Sequence, residues 1–177
     1  MFWAFSNRWR RANGWALAAA LLAAGCTGRA PEASVPAKTV ADWFAIKVGG
    51  QVVQMQVALN AAEMSHGLME RRDLGRDQGM LFVYPEPLQM SFWMRDTPLP
   101  LDIGFFDRGG VLREVYAMQP FDESAIRSRS TRLQFALEMN QGWFHDRGVR
   151  PGAWLDLAAL REALKARGAT PADFGLR

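Results

Sequence analysis

Apolar and polar residues alternate at period two along Val53-Gln54-Met55-Gln56-Val57-Ala58-Leu59. A second apolar run, Trp43-Phe44-Ala45-Ile46-Lys47-Val48, precedes it across Gly49-Gly50. The pattern predicts a hairpin with one buried face. Asn60 followed by Glu63 fits an N-cap with its capping-box partner, so a short helix is expected over residues 61–68, disturbed at Gly67. Gly79-Met80-Leu81-Phe82-Val83-Tyr84 reads as a strand that stops at Pro85 and Pro87, and Gln89 to Arg95 as another extended run before Pro98 and Pro100. Leu101 to Phe106, the turn Asp107-Arg108-Gly109-Gly110, and Val111 to Met118 form the clearest hairpin. Leu133, Phe135, Leu137 and Met139 alternate with Arg132, Gln134, Ala136 and Glu138, which predicts a one-faced strand, and a helical turn follows near 143–147. Leu157, Leu160 and Leu164 recur at helical spacing up to Gly168, giving a C-terminal helix near 157–167, after which the last residues are expected to fray. The fold class is therefore mainly β, with short strands and turn punctuation rather than a parallel α/β sheet.

The N-terminus follows another pattern. Arg8, Arg10 and Arg11 form a basic region, Trp15 to Ala24 an apolar one too short to span a bilayer, and Gly25-Cys26 closes the run with the chain's single cysteine. This resembles a bacterial lipoprotein signal, which implies a lipid on the Cys26 thiol and cleavage after Gly25. Thr27 rather than Asp follows, so for a Gram-negative host the resemblance favours the periplasmic face of the outer membrane. A plain secretory signal, with Cys26 incidental, or an uncleaved signal anchor are the alternatives. The expected organisation is a signal over 1–26, a tether over 27–41 rich in Gly, Ala, Pro, Ser and Thr, a β-rich domain over 42–158, and a helix and tail over 159–177.

The signal changes the reading of charge. The whole chain carries 21 Lys+Arg against 18 Asp+Glu, and removal of residues 1–26 takes away three arginines and no acid, leaving 18 against 18. The basicity thus belongs to targeting, and no basic stripe with interleaved aromatics remains to favour nucleic acid. With its one cysteine assigned to lipid, the domain is expected to stand on its core without disulfides.

Three linked segments carry a further resemblance: Gly67-Leu68-Met69 with Arg71-Arg72; Gly79-Met80-Leu81-Phe82-Val83; and Ser91-Phe92-Trp93-Met94-Arg95-Asp96-Thr97-Pro98-Leu99-Pro100-Leu101-Asp102-Ile103 with Phe105. Leu137 to Trp143 and Gly148 to Gly152 complete it. Together they resemble the domain-of-unknown-function family 192, also called uncharacterised protein family 0127. The resemblance implies an exported or lipid-anchored β-sandwich similar to a jelly roll, with no established activity. Where relatives often have a cysteine-containing Pro-rich loop, this chain has Pro120-Phe121-Asp122-Glu123-Ser124, so a thiol role for that loop is absent.

Candidate chemistry concentrates in the Pro-rich turn between strands, because function usually sits on loops of a rigid β scaffold. A polar patch of Arg71, Trp93, Arg95, Thr97, Asp102 and Glu138 is the expected binding site, for an envelope glycan, a peptide or another envelope protein. Each member also has a structural reading: Thr97 and Asp96 bonding local backbone, Asp102 pairing with Arg95 or Arg71, Trp93 filling the core, and Glu138 on a solvated face. Asp102 and Glu138 could serve as a general acid and base in a hydrolase if the fold brought them together. His66 and His145 are the only histidines, and no nucleophile motif or P-loop is present. Met64, Met69, Met80, Met90 and Met94 with His66 offer soft ligands for Cu(I), or simply fill core gaps. Trp43, Trp93, Trp143 and Trp154 could stack on a sugar or lie buried. No cofactor is expected, and the sequence reads as a binding or accessory module rather than an enzyme.

Overall fold

The computed structural model describes residues 36–177. The expected lipoprotein signal, Cys26 and most of the expected tether lie outside these residues. Order begins earlier than Asp42. The Lys38 N–H donates to the Ala166 carbonyl at 2.8 Å, and Asp42 accepts from the Thr39 N–H at 2.7 Å, so this end of the tether is tied to the domain.

Eight strands and three short helices follow in the order β1 (Phe44–Val48), β2 (Gln51–Ala58), α1 (Ala61–His66), β3 (Gln78–Leu88), β4 (Ser91–Phe92), β5 (Leu101–Asp107), β6 (Leu112–Met118), β7 (Ile126–Arg127), β8 (Leu133–Asn140), α2 (Trp143–Asp146) and α3 (Leu157–Ala166). A 3₁₀ turn over Pro171–Phe174 closes the chain. Six strands form one sheet in the order β1-β2-β3-β8-β5-β6, and β4 and β7 form a second, two-stranded sheet. The expected mainly β class is found, with a large mixed sheet covered on one face by the small one. Only β2 and β3 run parallel, joined by a crossover through α1; every other pair is antiparallel.

Local signals act where they were legible. The Asn60 side chain accepts from the Glu63 N–H at 3.0 Å, and Glu63 accepts from the Leu59 N–H at 2.8 Å, so both residues satisfy donors at the start of α1. Gly67 ends that helix at φ 49°. In α3, Asp156 accepts from the Ala158 and Ala159 N–H groups, and Leu160, Ala163 and Leu164 turn inward.

Three expectations are corrected. β8 is not one-faced: it lies in the centre of the sheet and is buried on both sides, because β3 and β5 flank it and each sheet face is covered. β3 does not stop at Pro85 but continues to Leu88 through a register shift, since the buried Gln134 side chain donates to the Tyr84 and Pro85 carbonyls, each at 3.0 Å, where ladder bonds are missing. The chain end does not fray. Phe174 and Leu176 are buried, and the same Gln134 amide donates to the Phe174 carbonyl at 2.7 Å.

Two cores result. On the helix face, Ile46, Met55, Leu81, Phe135, Leu137 and Met139 pack with Trp143, Phe144, Leu160 and Leu164. On the loop face, Met80, Phe82, Ile103, Phe105 and Ala136 pack with Leu68, Met90 and Met94, with Phe92 and Ile126 of the small sheet above them. Gly104 on β5 is needed for the first core, because a Cβ there would stand 2.6 Å from the Phe144 ring. Gly104→Ala is expected to lower stability by about 1–3 kcal/mol through overpacking, measured by urea unfolding, whereas Gly109→Ala in the open hairpin turn should change it far less.

Candidate functional site

Successive residues of a strand point to opposite faces, and directly paired residues share a face. Glu138 pairs with Met80 on one side and Ile103 on the other, and so projects onto the loop face. Asp102 pairs with Met139 and projects onto the helix face. The proposed acid–base pair of Asp102 and Glu138 is therefore not formed: the register sends the two carboxylates to opposite sides of the sheet.

Their surroundings differ accordingly. Asp102 accepts from the Gly142 N–H at 2.8 Å and so fixes the start of α2 against β5. Burial raises its pKa, the bond from Gly142 opposes the rise, and the nearby Asp146 charge adds to it. It pairs with neither Arg95 nor Arg71, contrary to expectation, and its role is structural.

Glu138 is 5% exposed and has no side-chain hydrogen-bond partner among the described residues. Burial alone pushes its pKa up to about 8, so at neutral pH the group is largely a neutral acid. The expectation that it lies on a solvated face is overturned, because its strand is central and the loop layer covers it. Its side chain borders a cavity of about 80 Å³ lined by residues 64–69, Phe82, Tyr84, Ser91, Phe92, Trp93 and Thr97. Burial raises the Tyr84 pKa as well, and the Glu138 charge contributes to that rise.

The cavity is built by three segments of different origin. β3 supplies Phe82 and Tyr84, the end of α1 supplies its floor at Gly67, and the Pro-rich turn brings Phe92, Trp93 and Thr97. Phe82 and Phe92 meet edge to face with ring centres 5.0 Å apart, which locks the small sheet onto the large one. The buried Thr97 hydroxyl donates to the Arg95 carbonyl at 3.0 Å, and the Thr97 carbonyl accepts from the Phe121 N–H at 3.1 Å. Trp93 is 47% exposed and forms the mouth, with the Arg95 guanidinium 5.4 Å from its ring centre.

An outer cleft of about 620 Å³ shares His66, Gly67 and Met69 with this cavity and is lined further by Gln56, Glu63, Glu70, Arg71, Arg72 and Asp73. Arg71 donates to the Gln56 side-chain oxygen at 2.9 Å and lies over the Trp43 ring.

Of the six expected site residues, the structure thus brings Trp93, Thr97 and Glu138 to one cavity, holds Arg95 at its mouth, places Arg71 in the adjoining cleft, and puts Asp102 elsewhere. Sequence reasoning missed Tyr84, Phe82, Phe92 and Ser91 as cavity residues. Tyr84 was read as the last residue of its strand and given no site role, while the other three sat unweighed inside the recognised motif. Met80, Met90 and Met94 are buried in the loop-face core, whereas Met64, His66 and Met69 border the cavity. Among the described residues no three His, Cys, Asp or Glu side chains come together as a metal site. The four tryptophans make no common platform, since Trp143 is buried on the helix face and Trp93 opens on the loop face.

Fold and site define a mainly β domain with a carboxyl-bearing cavity on a sheet face. The chain belongs to the family DUF192, described as Uncharacterized ACR, COG1430, whose profile matches residues 44–157. No curated protein matches it. Similar crystal structures include two from bacteria. A protein of unknown function from Novosphingobium aromaticivorans DSM 12444 shares 31% identity at a TM-score of 0.62, over 70% of this chain and 94% of that one. A protein of Sinorhizobium meliloti 1021, provisionally named a transcription regulator, shares 31% identity at a TM-score of 0.58, over 63% of this chain and 93% of its own.

The buried acid has a stability consequence. Between about pH 4.5 and 8 the unfolded chain ionises Glu138 while the folded protein keeps it protonated, so the folded state binds the extra proton. Stability then falls as pH rises through that window, by about 1.4 kcal/mol per unit for this group, and levels off above it. Glu138→Gln is expected to match the parent in thermal unfolding near pH 4.5 and to be increasingly more stable than it up to pH 8.

Proposed function

We propose that this protein is an exported binding or accessory module of the cell envelope, held at the periplasmic face of a membrane, the outer one in a Gram-negative host, by lipid on Cys26, and that its ligand enters the cavity at Glu138. The observation that carries the binding reading is a carboxyl, 5% exposed and with no hydrogen-bond partner among the described residues, on the wall of a cavity that opens to solvent. An unpartnered buried polar group is destabilising, and such groups cluster at functional sites. The outer cleft extends the site with charged groups that can orient whatever part of a ligand remains outside. The N-terminal pattern of three arginines, an apolar run and Gly25-Cys26 supports the anchoring. No helix among the described residues is long and apolar enough to cross a membrane.

The binding reading is tested by thermal shift of the full chain in detergent against envelope glycan fragments, peptides and small ions. A ligand at a hundredfold excess over its dissociation constant adds about 2.7 kcal/mol of stability. The expected result is a shift that Trp93→Ala abolishes and Asp102→Ala retains, although Asp102→Ala itself unfolds at lower temperature by the loss of about 1–3 kcal/mol from the unpaired Gly142 N–H. A shift that survives Trp93→Ala but not Asp102→Ala would move the site to the helix face. Anchoring is tested separately by metabolic labelling with a fatty acid: the parent should incorporate label and fractionate with membranes, and Cys26→Ser should do neither.

A further inference from the structure

Resting on the reading that the Glu138 cavity is a ligand site, the nature of its wall narrows the ligand. Four aromatic side chains, Phe82, Tyr84, Phe92 and Trp93, border the cavity, and Glu138 is the one carboxyl among its lining residues. The geometry points to a small organic ammonium ion as the ligand, its charge set against the Glu138 carboxylate and its carbon substituents against the aromatic rings. The electron-rich faces of aromatic rings attract cations, most strongly when water is excluded, and a carboxylate in the same wall supplies the full countercharge. Trp93 already holds a cation in this manner, the Arg95 guanidinium, whose own charge is partly answered by Asp96 at 3.8 Å.

Other occupants fit less well. An anion would meet aromatic rings and, once Glu138 ionises, a charge of its own sign. For a soft metal, Met64 and His66 stand two residues apart on α1, a spacing that turns their side chains away from each other.

Binding exchanges one cation for another. The Glu138 O–H bond breaks, its proton leaves to solvent, and the ammonium ion takes its place beside the carboxylate. Affinity should therefore rise about tenfold per pH unit up to about 8 and level off above it. The groups that face Glu138 from neighbouring elements are Tyr84 on β3 and His66 at the end of α1, with Arg95 at the mouth; β5 presents Ile103. A tetramethylammonium probe has no proton of its own, so any proton released on its binding comes from the protein.

The test follows the Glu138 side-chain carboxyl carbon by NMR in the full chain in detergent, assigned with Glu138→Gln, as pH is raised with and without each probe. With tetramethylammonium or methylammonium chloride near saturation, the Glu138 titration should move down by about one unit or more, equivalent to at least tenfold tighter binding to the ionised form. His145→Gln, exposed on α2 and away from the cavity, should preserve that shift. Acetate or acetamide raising the titration, with no effect of the ammonium probes, would overturn the cation assignment while leaving the cavity as a ligand site for hydrogen-bond acceptors. Cu(I) moving the signal in the parent but not in Met69→Leu, again with silent ammonium probes, would overturn it in favour of a metal. A carboxyl signal that no probe moves, in a protein whose thermal shift responds to another ligand, would overturn both the cation assignment and the cavity reading.

Discussion

Burial of β8 on both faces is the constraint on which the rest of this structure depends. A strand between two neighbours in mid-sheet can expose neither side, so the chain must furnish a cover for each. The helices after β8 supply one cover, and the segments inserted between β3 and β8 supply the other. Gly104 permits the first cover to approach closely; the edge-to-face contact of Phe82 with Phe92 seats the second. The two polar side chains that β8 carries inward are then treated in opposite ways. Gln134 gives its amide N–H groups to three carbonyls while its Oε1 is buried without a partner, and Glu138 bonds to no side chain or backbone group among the described residues and instead borders a cavity.

That contrast separates scaffold from site. Gln134 uses its amide to replace ladder bonds lost at Pro85 and to hold the last turn of the chain. Asp102, on the other face, is similarly absorbed by the Gly142 N–H. Glu138 has no such use within the fold, and the energy that its burial withholds from stability is available to a group that restores its charge. The ion pair of Arg167 with Glu63 at 2.6 Å joins the end of α3 to α1, so the cavity's floor is braced from the helix layer.

Much of this was legible in the chain. The two hairpins, the α1 cap and α3 rest on contacts within a few residues of each other, and period-two alternation or capping residues announce them directly. β8 was legible as a strand but not as a central one, since Gln134 and Glu138 at alternate positions imitate a wet face. Only the neighbours that cover them remove that ambiguity, and those neighbours lie far away in sequence. The candidate site divides along the same line. Trp93 and Thr97 lie in one turn and travel together, whereas Asp102 and Glu138 could be placed only by the register between β5 and β8, which no local pattern specifies. The continuation of β3 past Tyr84 went unnoticed because a proline normally ends a ladder, and the compensating amide is fifty residues on.

Three non-glycine residues, Glu70, Asp96 and Phe121, hold left-handed backbone conformations, at φ 60°, 51° and 61°. They meet around the turn that carries Trp93 and Thr97: the Glu70 N–H donates to the Asp96 carbonyl at 2.7 Å, and the Phe121 N–H to the Thr97 carbonyl. Each such conformation costs about 1–2 kcal/mol, so the turn that carries Trp93 and Thr97 is held under backbone strain by hydrogen bonds from segments far away in sequence, and that strain is set beside the cavity rather than in its wall.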